Sequence, residues 1–338
     1  MKSKAMFVIV FCFWGSALTL GQAPAQPQRG QQEKLPRDVT VTAIPGVIAA
    51  GAKWQQVWQG TDNGDGIVGT PDGGLLFAQE QPSTVRKLDK NDYDSAYVKD
   101  THGAGSVAMD SQGRIIAVQR TCTDPGRGTL PCSEPTKVSI IYPEKDRKVL
   151  ADNFQGKPLG RPSDLTVDKK GVVYFTAGGA YYVKPGGQVV SVGDNIRGNG
   201  IMLSPDEKTL YVTNGASILA FAIQPDGTVN NRRDFAKLED GNGDGLAVDA
   251  AGRLYVAAMG PGIQVFSPEG KHLGAIPTPR NATTVAFSGP DKKTLYMVGG
   301  GALGVDGKEF TLPEGVRNNA KTIYKIPMLA EGYKGRAK

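Results

Sequence analysis

One phrase recurs six times along this chain, and that recurrence constrains the fold more than any other feature. Each copy is an apolar strand, a turn carrying Asp, Gly or Lys, and a second apolar strand, at residues 66–78, 106–118, 164–176, 200–213, 245–257 and 284–298. A third short strand with a polar turn follows each copy, at 83–89, 136–143, 180–187, 217–227, 262–270 and 321–328. Repeats of roughly 40 residues built from successive hairpins are the signature of propeller blades, in which each sheet buries its faces against its neighbours and the ring closes on itself. The sequence predicts an all-β fold, a six-bladed β-propeller over residues 38–338, with the strand-like segment 38–44 closing the ring. A β-sandwich would not require such a repeat, and an open solenoid would need capping units that are absent. The 45 Gly and 22 Pro agree with frequent turns, and no long stretch carries apolar residues at helical spacing.

The N-terminus is read separately from the repeats. Lys2 and Lys4 precede an apolar run over residues 5–20 and a small-residue ending, the pattern of a secretory signal with cleavage near Ala23. Gly15 and Ser16 interrupt the run, which is short for a bilayer span. Residues 1–23 are expected to be a signal peptide and 24–37 a Pro/Gln-rich linker, so the protein is expected to be secreted or periplasmic, with no stable membrane insertion after cleavage. Loss of Lys2 and Lys4 takes the formal charge from +6 to +4, and the remaining basic residues are scattered among acids, which argues against nucleic acid as a partner. Cys122 and Cys132 flank a Gly/Pro-rich insert and are expected to form a loop-clamping disulfide in an oxidising compartment.

The repeat register points to a site. In a propeller the first strand of each repeat lines the central channel, so residues just ahead of it project into one mouth. The position two before the first apolar residue of each copy is Asp65, Gly105, Ser163, Asn199, Asp244 and Thr283. Singly, such residues are turn formers. Together they bring carboxylates, an amide and hydroxyls to one axis, the hard oxygen chemistry that calcium or magnesium prefers.

With that register in hand, the chain resembles the senescence marker protein/gluconolactonase family, the regucalcin-like or lactonase-like propellers. The resemblance is carried by Gly160-Arg161-Pro162-Ser163-Asp164, by Gly198-Asn199-Gly200 leading into Ser204-Pro205-Asp206, by Gly243-Asp244-Gly245-Leu246, and by Phe287-Ser288-Gly289-Pro290-Asp291 leading into Thr294-Leu295-Tyr296. It implies one divalent ion, Ca2+ ahead of Zn2+, Mg2+ or Mn2+, held by Asp65, Ser163, Asn199 and Asp244. Asp65 and Ser163 depart from the Glu and Asn that the family places there. It also implies a small-molecule lactone or ester substrate, hydrolysed with the ion polarising the carbonyl and Asp244 as general base. Arg161 and His102 are the expected substrate-binding residues. The alternatives are a ligand-binding propeller without turnover and a strictosidine-synthase-like enzyme, against which Asn199 and Asp244 count.

Other motifs carry less. Residues 240–251 open like an EF-hand loop but place Ala251 where a bidentate Glu is required. Residues 299–304 satisfy a dinucleotide-binding spacing yet follow a repeat strand and open no helix. Two histidines and no Gly-x-Ser-x-Gly element argue against a Ser-His-Asp hydrolase. Asn281 heads a glycosylation sequon.

Overall fold

Asp110, Asp168 and Asp249 show how the repeated phrase folds. In each case the carboxylate accepts the backbone N–H groups two and four residues on, at 2.8–2.9 Å. The chain then turns back through Gly113, Gly171 or Gly252, whose φ of +76°, +83° and +79° a side chain would resist. The recurring Asp and Gly are thus the tips of the inner hairpins.

The computed structural model describes residues 35–120, 135–260, 262–313 and 318–335. All belong to one unit, Gln32–Lys338. These residues form six four-stranded antiparallel sheets, the six blades. Blade 1 is Ile67–Gly69, Leu75–Gln79, Thr84–Leu88 and Asp94–Val98; blade 2 is Ala104–Met109, Ile115–Gln119, Lys137–Tyr142 and Lys148–Ala151. Blade 3 is Leu165–Val167, Val173–Thr176, Ala180–Val183 and Val189–Ser191; blade 4 is Gly198–Leu203, Thr209–Asn214, Ser217–Ile223 and Val229–Lys237. Blade 5 is Leu246–Val248, Leu254–Ala257, Gly262–Phe266 and His272–Pro277.

Blade 6 combines Ala282–Ser288, Thr294–Gly300 and Lys321–Pro327 with the early strand Gln55–Gly60, which pairs with Lys321–Pro327 and closes the ring. The closing strand is therefore not segment 38–44. That segment instead packs Val41 and Ile44, with Val47 and Ile48, into the core between blades 5 and 6. Both segments are strand-like in sequence; Trp58 marks the difference, its ring 4.7 Å from that of Phe77 in blade 1 and its Nε1 donating to Asp94 Oδ2 at 3.0 Å.

Six apolar clusters form the core, one at each junction between neighbouring blades. The junction of blades 1 and 2, for instance, buries Val68, Leu76 and Val85 against Val107, Ile115 and Ala117. A second strand such as Leu75–Gln79 is buried along its whole length because it has a neighbour on both faces. That explains the uninterrupted apolar runs of the repeats, where a one-sided sheet would show alternation. Burial of each large aliphatic side chain contributes about 1.5–3 kcal/mol.

At the hairpin end of the channel the chain's last described stretch crosses from blade to blade. Ala250 N donates to Glu331 O at 2.8 Å, Gly332 N to Lys292 O at 2.8 Å, and Lys169 Nζ to Tyr333 Oη at 3.0 Å. A Cβ on Gly332 would lie 2.2 Å from Phe287 Cβ, so only glycine allows this approach. The opposite end, where the innermost strands begin, is left to the predicted register.

Candidate functional site

The register residues lie where the repeat places them. Asp65, Ser163, Asn199, Asp244 and Thr283 are half-buried at the start of their innermost strands, and Gly105 is buried. One residue further along, Gly66, Ser106, Asp164, Gly200, Gly245 and Thr284 are all buried. Two glycines in this second layer make room for its side chains, since a Cβ on Gly66 would stand 2.0 Å from Ser106 Oγ and one on Gly245 2.3 Å from Thr284 Oγ1; Gly200 instead lets the Asp244 carbonyl approach. Ser106 Oγ donates to Asp164 Oδ1 at 2.7 Å. The layer is a polar floor beneath the mouth.

Two residues that the first-strand register does not reveal enter this mouth from the second strands. Arg120, just past Ile115–Gln119, donates from Nη1 to Asp65 Oδ2 at 2.5 Å, from Nε to Pro162 O at 2.6 Å, and from Nη2 to Ser163 O. Its guanidinium fills the slot that Gly105 leaves open: a Cβ on Gly105 would be 2.1 Å from Arg120 Cζ. Glu80 holds the equivalent position just past Leu75–Gln79. It lies 3.5 Å from Arg120 Nη1 and accepts both Nη atoms of Arg161, at 2.7 and 2.8 Å. Asp65, Arg120, Glu80 and Arg161 form a chain of alternating charge. The Arg120 and Glu80 side chains are almost sealed, at 4% and 1% exposure, whereas Asp65 and Arg161 keep 28% and 35%.

This arrangement separates the two register carboxylates. Burial opposes ionisation of Asp65, but the charges of Arg120 and Lys321, the Arg120 hydrogen bond and the Arg161 charge outweigh it, and the carboxyl is held below its ordinary value. Asp244 goes the other way. Burial first, then the negative charge of Asp65, pushes it up to about 8, with Asp164 adding to the shift and Lys321 and Arg120 opposing it. Arg120 is kept protonated more firmly than a free arginine, because Asp65 and Glu80 overcome the effect of its burial. Lys321, the first residue of the third strand of blade 6, is half-buried beside this pair, its Cβ 3.7 Å from where a Cβ on Gly64 would stand.

As a four-oxygen cage for a divalent ion, Asp65, Ser163, Asn199 and Asp244 do not fit. Asp65 is already neutralised by Arg120, and Ser163 Oγ donates to Asn199 Oδ1 at 2.5 Å, so the two neutral donors are bonded to one another. An ion added beside Asp65 would meet a sealed guanidinium, and unit charges about 4 Å apart repel by roughly 4 kcal/mol at an effective dielectric near 20. Among the described residues no group of three or more His, Cys, Asp or Glu is arranged to hold a metal.

The remaining expected residues are placed as follows. Arg161 stands at the rim in its ion pair with Glu80. His102 is exposed, at φ +51° in the turn just before Ala104–Met109. Cys122 and Cys132 lie outside the described residues. Arg120, Glu80 and Lys321 escaped the sequence reading because the register followed only the first strand of each repeat. A signal existed: Gln79-Glu80 and Gln119-Arg120 occur at the same offset after their second strands, and Gly105 is the one register position without a polar side chain.

The fold and the site together define a closed six-bladed propeller with a polar, charge-compensated cup at one end of its axis. The chain belongs to the SMP-30/Gluconolactonase/LRE-like region family, whose model matches residues 55–300. It is 32% identical over 185 residues to a gluconolactonase of Zymomonas mobilis, covering 45% of this chain and 52% of that one. It is 28% identical over 250 residues to regucalcin of Xenopus laevis, covering 67% and 79%. Its match thus spans about half the length of the Zymomonas protein. In three dimensions it is similar to a gluconolactonase from Xanthomonas campestris, with a TM-score of 0.68 at 22% identity over 90% of this chain and 99% of the other, a likeness of fold.

Proposed function

We propose that this chain is an exported hydrolase of lactones, with sugar lactones as the first substrate class. The carrying observation is the pair Asp65 and Asp244, two carboxylates in one mouth whose proton affinities are driven in opposite directions. Opposed shifts of this kind divide a site into a fixed charge and a proton carrier. Gluconolactonase as a relative's name, within the same family, supplies the substrate class.

In this reading a lactone lies over the cup with its carbonyl carbon near Asp244. The ionised Asp244 takes a proton from a water molecule, the water oxygen bonds to the carbonyl carbon, and the ring C–O bond then breaks. The proton returns from Asp244 to the leaving alkoxide, giving an open hydroxy acid. Lys321, whose charge reaches both Asp65 and Asp244, offsets the negative charge that builds on the carbonyl oxygen. Ser163, Asn199 and Thr283 offer the substrate's hydroxyls a polar rim, and Arg161 holds its guanidinium beside it, paired with Glu80. Export rests on the N-terminal pattern of residues 1–23.

The test is proton release from a panel of aldonolactones and aliphatic lactones, with Asp244→Asn measured in parallel. Hydrolysis by the wild type that falls by about 10²–10⁴-fold in the variant supports the reading. A wild-type protein that opens none of the panel, or a variant that works as well, refutes it.

A further inference from the structure

We infer that Arg120 is a resident cation of the mouth, and that this chain needs no divalent ion there. The inference rests on the lactone-hydrolase reading only for its activity arm; its binding arm stands on geometry. Arg120 is not a surface side chain folded over by chance. It is held by contacts to four partners: the Asp65 carboxylate ahead of blade 1, the Glu80 carboxylate, and the backbone carbonyls of Pro162 and Ser163 on the approach to blade 3. Those carbonyls belong to the segment that carries one of the expected ligands, Ser163 itself. The guanidinium therefore bridges blades 1 and 3 across the gap that blade 2 leaves at Gly105.

Three features show that the chain is built around this cation. First, Gly105 is the register position with no side chain, and any Cβ there would collide with Arg120 Nε and Cζ at 2.1 Å. Second, Glu80 is buried behind Arg120, as a second counter-charge would be, and is itself tied to Arg161 and to Asn63 Nδ2 at 3.5 Å. Third, the two departures from the family pattern fall on the residues that Arg120 touches. Asp65 is one methylene shorter than the expected Glu and meets the guanidinium at 2.5 Å, and Ser163 gives Arg120 its carbonyl while its hydroxyl turns to Asn199. The shortened carboxylate at Asp65, which weakens a metal cage, is the one that seats the guanidinium.

The chemistry follows from charge. A divalent ion in a lactone-opening site neutralises an acid cluster and fixes a positive potential at the carbonyl. Here Arg120 supplies the neutralisation from below, permanently and without dependence on metal supply. Arg120 is sealed from the cup, so it acts as a positioning residue that sets Asp65 and the local potential, while groups at the surface of the cup meet the substrate.

Isothermal calorimetry and thermal unfolding test this directly on chelator-stripped full-length protein titrated with Ca2+, Mg2+, Mn2+ and Zn2+, alongside Arg120→Met and Arg120→Lys. The wild type should show no saturable binding and no change of Tm with any of the four, and its lactone hydrolysis should survive chelation. Arg120→Met, which frees Asp65, should gain saturable binding of a divalent ion and a metal-dependent rise in Tm, and lose activity by about 10²-fold. Arg120→Lys, which keeps the charge, should gain no such binding. One ion bound per wild-type chain with a rise in Tm, or activity lost on chelation and restored by metal, overturns the inference; so does a folded Arg120→Met that binds no ion. If Arg120→Met does not fold, the wild-type titration decides alone. Failure of the hydrolase reading is a separate result: no turnover of any lactone by a wild type that also binds no ion refutes the activity and leaves Arg120 as the resident cation.

Discussion

Arg120 Nη1 lies 2.5 Å from Asp65 Oδ2 although 55 residues separate the two in sequence. Blade 2 donates the cation from its second strand, blade 1 the anion from ahead of its first, and the missing side chain of Gly105 lets them meet.

Gly105→Ala tests that arrangement. Its backbone does not require glycine by φ, so the cost is steric, from a methyl 2.1 Å from Arg120 Cζ. Overpacking of this kind costs about 1–3 kcal/mol, and displacing the guanidinium also takes from Asp65 its hydrogen-bonded counter-charge. Urea unfolding should show the loss in the wild-type background and a much smaller one in Arg120→Ala. Equal losses in both would show that the glycine serves some other purpose.

The opposed carboxylates predict a pH profile. If Asp244 must be ionised to take the water proton, kcat/KM rises with pH through a midpoint near 8. Asp65→Asn removes a negative neighbour and should move that midpoint toward acid, while Lys321→Met removes a positive one and should move it toward alkali. Lys321→Met should also lower kcat, by about 10²-fold if the ammonium faces the developing oxyanion. A midpoint that ignores both substitutions would remove Asp244 from the role.

The repeat made the blades and the mouth legible, because a period of hairpins ties every copy to one axis. Counting back from Leu246 to Asp244 in one copy was enough to find Asp65 in another. The same method could not see Arg120 or Glu80, since which second-strand ends reach the axis depends on what the first strands leave empty. Arg120 reaches the centre because Gly105 leaves the register position of its own blade empty, and its partners Asp65 and Ser163 come from the neighbouring blades. The closing strand was missed for a different reason. Segment 38–44 has the alternation of a strand, yet its Val41 and Ile44 find more apolar surface beneath blades 5 and 6 than at the ring's seam.

Asp244 also predicts a stability change of opposite sign to the activity change. Its folded value of about 8 lies above the ordinary carboxyl value of 3.8, so the folded state holds the proton that the unfolded chain has released. Stability linked to this group is fully present below pH 3.8 and is lost as pH rises toward and through 8. Asp244→Asn, neutral at every pH, escapes that loss. Its Tm should match the wild type near pH 4 and exceed it at pH 8 and above, in the same variant whose hydrolysis has fallen. A Tm difference that does not grow with pH would contradict the raised proton affinity of this carboxyl.

The seam of the ring gives the last prediction. Trp58 sits on the closing strand Gln55–Gly60 but spends its contacts on blade 1, with its ring against Phe77 and its Nε1 on Asp94. Gly60 and Gly64 leave space for that ring, since a Cβ on either would lie 2.6 or 3.2 Å from it. Trp58→Ala should cost on the order of 2–3 kcal/mol, because the side chain is half-buried and its loss unfastens blade 6 from blade 1 at the outer edge. Deleting residues 1–60 removes the fourth strand of blade 6 altogether and should abolish cooperative unfolding. Deleting only 1–44 keeps the seam but exposes Val47 and Ile48, so it should lower the Tm and leave the transition cooperative. Calorimetric scans of the two truncations distinguish the cases, and a cooperative transition in the longer deletion would show that the ring does not depend on Gln55–Gly60 for its closure.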